Sequence, residues 1–359
     1  MRKRYRELGF SIGKLPTGPK NCITDVPRVC VGHEELEYEL DDGCVRTGVT
    51  AILPHEDNVF QNKVIAASHV FNGFGKTTGL IQLNELGKLE SPIMLTNTFG
   101  VPAVTQGVLE YLLTNNNDIG DITGTVNTVV GECNDGYLNS IRNFSITPQH
   151  ALRAIEQATN KKVIEGSVGA GKGMVCCGFK GGIGTSSRVV KSLDQTYTLG
   201  CLVLSNFGKR EDLFHYHPFM KQDLQQENVK EDMQSDGSIM IILATNAPVN
   251  ERQLKRISKR SGIGLGRTGS HMANGSGDIV VAFSNAHTFP HYQKSDIEPT
   301  YSLRDDHPVI SELFNAAAET TNEAILNSLT TAETTKGRNS RKAEAIPYHL
   351  FTQVKNFNR

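Results

Sequence analysis

A chain of 359 residues, 38% of them hydrophobic, has material for one large α/β unit or two closely packed halves around a sizeable core. Its 37 basic and 38 acidic residues nearly cancel, so no global field selects nucleic acid or an anionic membrane surface as a partner. The seven cysteines are scattered without Cys-x-x-Cys spacing, which argues against a disulfide framework and a zinc site and reads them as buried small hydrophobes.

The basic start, Met1 to Gly9, is not followed by the apolar core of a secretory signal, and no stretch approaches the roughly 18 apolar residues that cross a bilayer. A cytoplasmic protein is expected. Ile23 to Gly32 alternates apolar and polar residues around Pro27 and reads as an extended edge segment. Short strands follow at Val49 to Leu53, Lys63 to Phe71, Ile93 to Thr96 and Val126 to Val130, with helices over Val104 to Leu113 and, behind Thr147 and Pro148, Ala151 to Ala158. Val163-Ile164 reads as a further short strand. Later strands are expected at Leu199 to Leu204, Ile239 to Ala244 and Ile279 to Phe283. A helix over Asn250 to Arg260 has Asn250 as cap, Gln253 three residues on and Gly262 just past its end. Val309 to Leu329 carries the longest helical pattern, and Thr330 to Arg359 reads as an irregular polar tail. No tandem repeat or long linker divides the chain, so 1–359 is expected to be one domain.

Three glycine-rich stretches invite a nucleotide reading, and each breaks at one place. Gly166 to Gly173 nearly spells a phosphate-binding loop, but Gly173 stands where a magnesium-binding hydroxyl belongs. Gly73-Phe-Gly-Lys-Thr77 has the lysine and threonine but Val70 where the first glycine should be. Gly264 to Gly269 has dinucleotide-fingerprint spacing, yet it follows a helix instead of a strand. His215-Tyr216-His217 would aim two imidazoles one way on a strand, without a third metal ligand at diagnostic spacing. His287 and His291 read as loop residues or cleft lining. No Gly-x-Ser-x-Gly elbow is present.

One boundary stands out. The polar strip Lys221 to Asp236, read as a mobile surface segment, meets an apolar run at Gly237-Ser238, where a serine opens the strand Ile239 to Ala244. By itself this is a turn entering a strand. The surrounding text says more: Gly181 to Arg188, Asp236 to Pro248, and Gly264 to Ser270 with Asn274 to Ile279 resemble the L-aminopeptidase D-esterase/amidase family, which includes the β-peptidyl aminopeptidases. Arg46 to Pro54, Asn72 to Lys76, Gly131 to Asn139 and Glu165 to Gly171 extend the resemblance from about Ile23 to about Arg338.

That resemblance implies an α/β fold, a four-layered αββα sandwich like that of N-terminal nucleophile hydrolases but differently connected. It implies a precursor that cuts itself between Gly237 and Ser238, giving portions 1–237 and 238–359 with Lys221 to Asp236 as a free tail. Ser238 would then release a small N-terminal L-, D- or β-residue from peptides, amides or esters through an acyl-enzyme. Ser276 and Asp278 match catalytic positions that orient or deprotonate it, with Asp where the β-peptide branch tends to Glu. Asn206 matches an oxyanion-hole amide, Tyr137 an oxyanion or substrate contact, and Glu132 a carboxylate for the substrate ammonium. No cofactor or metal is expected, and processed protomers would form a homo-oligomer. The alternatives are a catalytically silent binding module on this scaffold and an acyltransferase like ornithine acetyltransferase, whose nucleophile is threonine.

Overall fold

Alternation along the apolar strands sets the layers, because successive side chains of a strand point to opposite faces. The computed structural model describes residues 2–193, 195–216, 237–293 and 295–351. The first half contains β1 (Cys30–Leu40), β2 (Gly43–Leu53), β3 (Asn62–Gly73), α1 (Leu80–Leu86), β4 (Lys88–Leu89), β5 (Ile93–Asn97), α2 (Val101–Asn115), β6 (Val129–Cys133) and α3 (Pro148–Glu156). The second contains β7 (Val175–Cys176), β8 (Phe179–Lys180), β9 (Gly182–Lys191), β10 (Thr196–Asn206), α4 (Arg210–Tyr216), β11 (Ser238–Thr245), α5 (Glu251–Ser258), α6 (Ser261–Gly266), β12 (Gly277–Pro290) and α7 (Pro308–Thr331). Past α7 a short hairpin joins β13 (Thr335–Lys336) to β14 (Lys342–Ala343). The main strands form a four-stranded sheet, β1-β2-β5-β6, and a six-stranded sheet, β4-β3-β12-β11-β10-β9.

In β11, Met240, Ile242 and Ala244 point between the sheets, into a core shared with Ile52, Ile93, Leu95 and Val129. Ile239, Ile241 and Leu243 point the other way, onto Leu254 and Ile257 of α5 and Leu313, Ala317 and Ile325 of α7. On the far side, Val49, Ala51 and Met94 pack against Val104, Val108 and Leu112 of α2 and Ala151, Ala154 and Ile155 of α3. The layers therefore run helix, sheet, sheet, helix, the αββα sandwich that the family resemblance implies. Each fully buried aliphatic side chain stabilises this arrangement by about 1.5–3 kcal/mol. Among the described residues, no helix is long and apolar enough to cross a membrane, and all seven cysteines are buried and unpaired.

Several boundaries differ from the sequence reading. Ile23–Asp25 is a turn of 3-10 helix whose Asp25 carboxylate accepts the Lys20 and Cys22 N–H groups. The edge strand starts only at Cys30, with Pro27 outside its ladder. The strand expected at Val126 begins at Val129, because Asn127 is held in the loop by Glu90 and the Gly79 carbonyl. Val163-Ile164 forms no strand. Gly262 ends no helix: α5 closes at Lys259, and Gly262 lies inside α6. The Asn250–Gln253 capping box of α5 is present as expected. The tail is not irregular throughout, since Ile346, Leu350 and Phe351 are buried and Phe351 meets the Tyr5 ring edge-on at 5.9 Å. Lys221 to Asp236 lies outside the described residues.

The N-terminal segment is fastened to α7 by buried ions. Arg188 of β9, fully buried, reaches Glu319 at 2.8 Å and Glu323 at 2.7 Å, and Glu323 also receives Arg6 at 2.7 Å and Asn21 at 2.6 Å. Removing one partner of such a set strands the opposite charge in the interior. Arg188→Ala should therefore cost about 3–5 kcal/mol of stability in urea unfolding, whereas a loss below about 1 kcal/mol would mean that water replaces the guanidinium.

Candidate active site

Ser238 is the first residue of β11, and its position follows from pairing on both sides. It faces Asn206, the last residue of β10, across an antiparallel ladder, and Gly277, the first residue of β12, across a parallel one. Alternation puts Ser238 on the face of Met240 and Ile242, toward the smaller sheet. There Glu132, in β6, and Tyr137, in the loop behind it, close a cavity of about 240 Å³ whose walls also include Phe74, Lys76, Thr98, Asn134, Asn206, Gly237 and Ser238.

The peptide bond between Gly237 and Ser238 lies in the cavity wall. The Gly277 N–H donates to Gly237 O at 3.1 Å and reaches Ser238 Oγ at 3.3 Å. Close approach requires the glycine at 237, where a Cβ would stand 2.3 Å from Asn206 O, and leaves little room at 277, where one would stand 3.0 Å from Phe74 O and 3.2 Å from Ser238 Oγ.

Asn206 is held at both ends of its amide. Its Oδ1 accepts from Val175 N–H at 2.9 Å and its Nδ2 donates to Asn134 O at 3.0 Å. The segment leading into β7, which carries Val175, is fixed by Lys180, fully buried, whose Nζ donates to the carbonyls of Gly171, Met174 and Gly181 at 2.8, 2.9 and 2.9 Å. Three acceptors match the three donors of an ammonium. Glu132, also buried, accepts the Lys76 N–H at 2.8 Å on Oε1 and the Thr98 hydroxyl on Oε2. Tyr137 stands under the Arg341 guanidinium, 4.9 Å from its ring centre.

Ser276 and Asp278 are buried neighbours of the nucleophile that do not line the cavity. Ser276 Oγ donates to Asp278 Oδ1 at 2.8 Å, while Asp278 Oδ2 is buried without a hydrogen-bond partner. Asp278 pairs with Ile239 and so faces away from Ser238 Oγ. Gly277, whose N–H reaches Ser238 Oγ, lies between the two members of the pair in sequence. Burial pushes the Asp278 carboxyl up to about 6, against the Ser276 hydrogen bond and the nearby His271 charge.

The other sequence candidates lie elsewhere. Five backbone N–H groups of the Gly166 to Gly173 stretch, those of Gly166, Val168, Ala170, Gly171 and Lys172, already donate within the protein, to Ile183 O, Gly166 O, Thr50 Oγ1, Val168 O and Gly169 O. Gly264 sits in α6 against α7. His215 lies on helix α4 instead of a strand, with His217 outside the described residues. His287 binds Tyr301 O, and His291 packs on Phe60, both away from the cavity. No group of three metal-ligating side chains is present among the described residues. Sequence reading passed over Lys76, Thr98, Asn134 and Gly277 as site residues, although all but Thr98 fall inside the family-like stretches.

A sandwich with a serine at the start of a central strand, beside a buried carboxylate and a fixed amide, defines a hydrolase of the N-terminal nucleophile serine kind. Residues 21–343 match the model of peptidase family S58. A β-peptidyl aminopeptidase of Sphingosinicella microcystinivorans is 38% identical, with 96% of this chain and 90% of that protein covered. Among solved structures, a β-aminopeptidase of Burkholderia superposes with TM-score 0.87 at 36% identity, covering 97% of both chains. The L-aminopeptidase D-Ala-esterase/amidase of Ochrobactrum anthropi does so with TM-score 0.88 at 32% identity, covering 97% of this chain and 96% of that one. A protein of Pyrococcus horikoshii reaches 0.89 at 46% identity, covering 97% of both. The chain belongs to peptidase family S58, and is a serine aminopeptidase/amidase.

The buried Asp278 carboxyl has a consequence for stability. It holds its proton up to about pH 6 when folded but releases it near 3.8 when unfolded, so stability falls as pH rises through that window. Asp278→Asn retains an acceptor for Ser276 and removes the buried charge. Its melting temperature should exceed that of the unsubstituted protein at pH 8 and lose that advantage toward pH 4; an advantage independent of pH would contradict the ionisation of Asp278.

Proposed function

We propose that the chain cuts itself between Gly237 and Ser238 and then uses Ser238 Oγ to release a small N-terminal residue from peptides, amides or esters. The observation that carries this reading is that the Gly237–Ser238 bond lies in the cavity wall with the Gly277 N–H on Gly237 O at 3.1 Å. A donor on that oxygen stabilises the negative charge that develops there when Oγ attacks the carbonyl carbon. The C–N bond then breaks, the Oγ proton passes to the leaving nitrogen, and an ester joins Gly237 to Ser238. Water hydrolyses the ester, leaving a carboxylate on Gly237 and a free hydroxyl beside a new α-amine on Ser238.

An α-amine titrates near ~8, so a useful fraction is neutral at physiological pH and can take the proton of its own hydroxyl. In this reading Glu132 holds the substrate ammonium, since its buried carboxylate faces the same cavity as Ser238. Asn206 and Tyr137 attend the substrate oxyanion. Ser276 and Asp278 act on the Ser238 terminus and its backbone instead of on Oγ, because Asp278 faces away from that atom. The relatives named as β-peptidyl aminopeptidases support acceptance of a β-residue beside L- and D-residues. The reading also includes a homo-oligomer of processed protomers and a cytoplasmic location, the latter supported by seven unpaired thiols.

The purified protein, measured by intact mass, should give two fragments, one ending at Gly237 and one beginning at Ser238. Ser238→Ala should remain a single chain and lose hydrolysis of an alanine amide by about a thousandfold or more. A wild-type preparation that hydrolyses the amide as a single uncut chain would overturn self-processing.

A further inference from the structure

Among the described residues lining the cavity, only two side chains carry a formal charge, and their signs are opposite: Glu132 and Lys76. Glu132 is buried and held on both oxygens, by the Lys76 N–H and by the Thr98 hydroxyl. Lys76 is exposed at the rim, and among the described residues its ammonium enters no ion pair. Nζ rests instead over the Phe74 ring, 4.7 Å from the centroid, and Phe74 is itself 61% exposed. A cation over an exposed ring is held more weakly than one hydrogen-bonded to a carboxylate, so this ammonium is available to an anionic ligand.

We infer that Lys76 anchors the free C-terminal carboxylate of the substrate, so that the site prefers short zwitterionic peptides, dipeptides above all, over the same peptides with a blocked C-terminus. The inference rests on the proposed function, in which Glu132 holds the substrate ammonium and Ser238 attacks the first carbonyl. The backbone N–H of Lys76 lies on Glu132, and its ammonium, at the end of a flexible four-carbon stem, lies over Phe74. An extended dipeptide carries its two charges about 7 Å apart, so a ligand with its ammonium on Glu132 has its carboxylate one residue further on, where such a stem can meet it. The cavity, about 240 Å³, is in keeping with so short a ligand. Phe74, under the ammonium, offers an apolar face to the side chain of the second residue. Because Lys76 meets a part of the substrate remote from the reacting carbonyl, its contribution falls on binding in ground and transition states alike.

The test compares alanyl-alanine, and β-alanyl-alanine, with their C-terminal amides as substrates for the processed protein, for Lys76→Met and for Lys76→Arg, at low ionic strength. The unsubstituted protein should show the higher kcat/KM for the free dipeptides. In Lys76→Met the ratio of dipeptide to amide should fall about tenfold, with the loss in KM and not in kcat. Lys76→Arg, which keeps the charge, should restore most of the ratio. An unchanged ratio in Lys76→Met, with both substrates still hydrolysed, overturns the inference and leaves the proposed function standing. Failure of the unsubstituted processed protein to hydrolyse any of the four compounds overturns the proposed function and this inference with it.

Discussion

The parallel pairing of β11 with β12 is the constraint on which the site depends. It sets Ser238 beside Gly277, and a slip of one residue would carry Ser238 from the face between the sheets to the face packed on α7. The slip is blocked by burial on both sides. Ile239, Ile241 and Leu243 fill one core and Met240, Ile242 and Ala244 the other, so every side chain would exchange environments with its neighbour. The antiparallel ladder to β10 holds the same register independently, with Asn206 opposite Ser238. Three strand ends thus bring a hydroxyl, an amide and a backbone donor together.

The polar groups around that register are fixed by buried hydrogen bonds that leave little freedom. Lys180 gathers three carbonyls under the segment that presents Val175 N–H to Asn206, so the amide orientation is set by a residue that does not line the cavity. Glu132 is similarly held from two sides, by a backbone N–H and a hydroxyl. On the outer face, the Arg188, Glu319 and Glu323 cluster ties β9 and the N-terminal segment to α7, the helix that covers β11. The site is therefore assembled from elements far apart in sequence, each fixed by its own packing.

Much of this was legible in the sequence. The apolar runs at Ile239 and Leu199 gave the central strands because they are buried on both faces and need no alternation to be recognised. The capping box at Asn250 and the turn at Thr147-Pro148 gave helix starts because the signal is local. β9 is not legible as a strand because Gly182 and Gly184 lower its apparent strand propensity, while its pairing with β10 is long-range. The burial of the tail is not legible because Ile346, Leu350 and Phe351 show no periodicity and join a core built from residues distant in sequence, Phe351 against Tyr5 and Phe10. Ser276 and Asp278, two residues apart in sequence, are hydrogen-bonded to each other. The turning of Asp278 away from Ser238 Oγ follows from the strand register, which the spacing of two residues does not contain.

The central claim is that one serine at this register is the nucleophile of the hydrolytic reaction. Its most direct test is acid quenching of the processed protein during turnover of an alanine ester, followed by proteolysis and mass spectrometry of the peptide that begins at Ser238. The account predicts an alanyl ester on Ser238 Oγ, preserved by the acid. An alanyl adduct carried by any other side chain would contradict it.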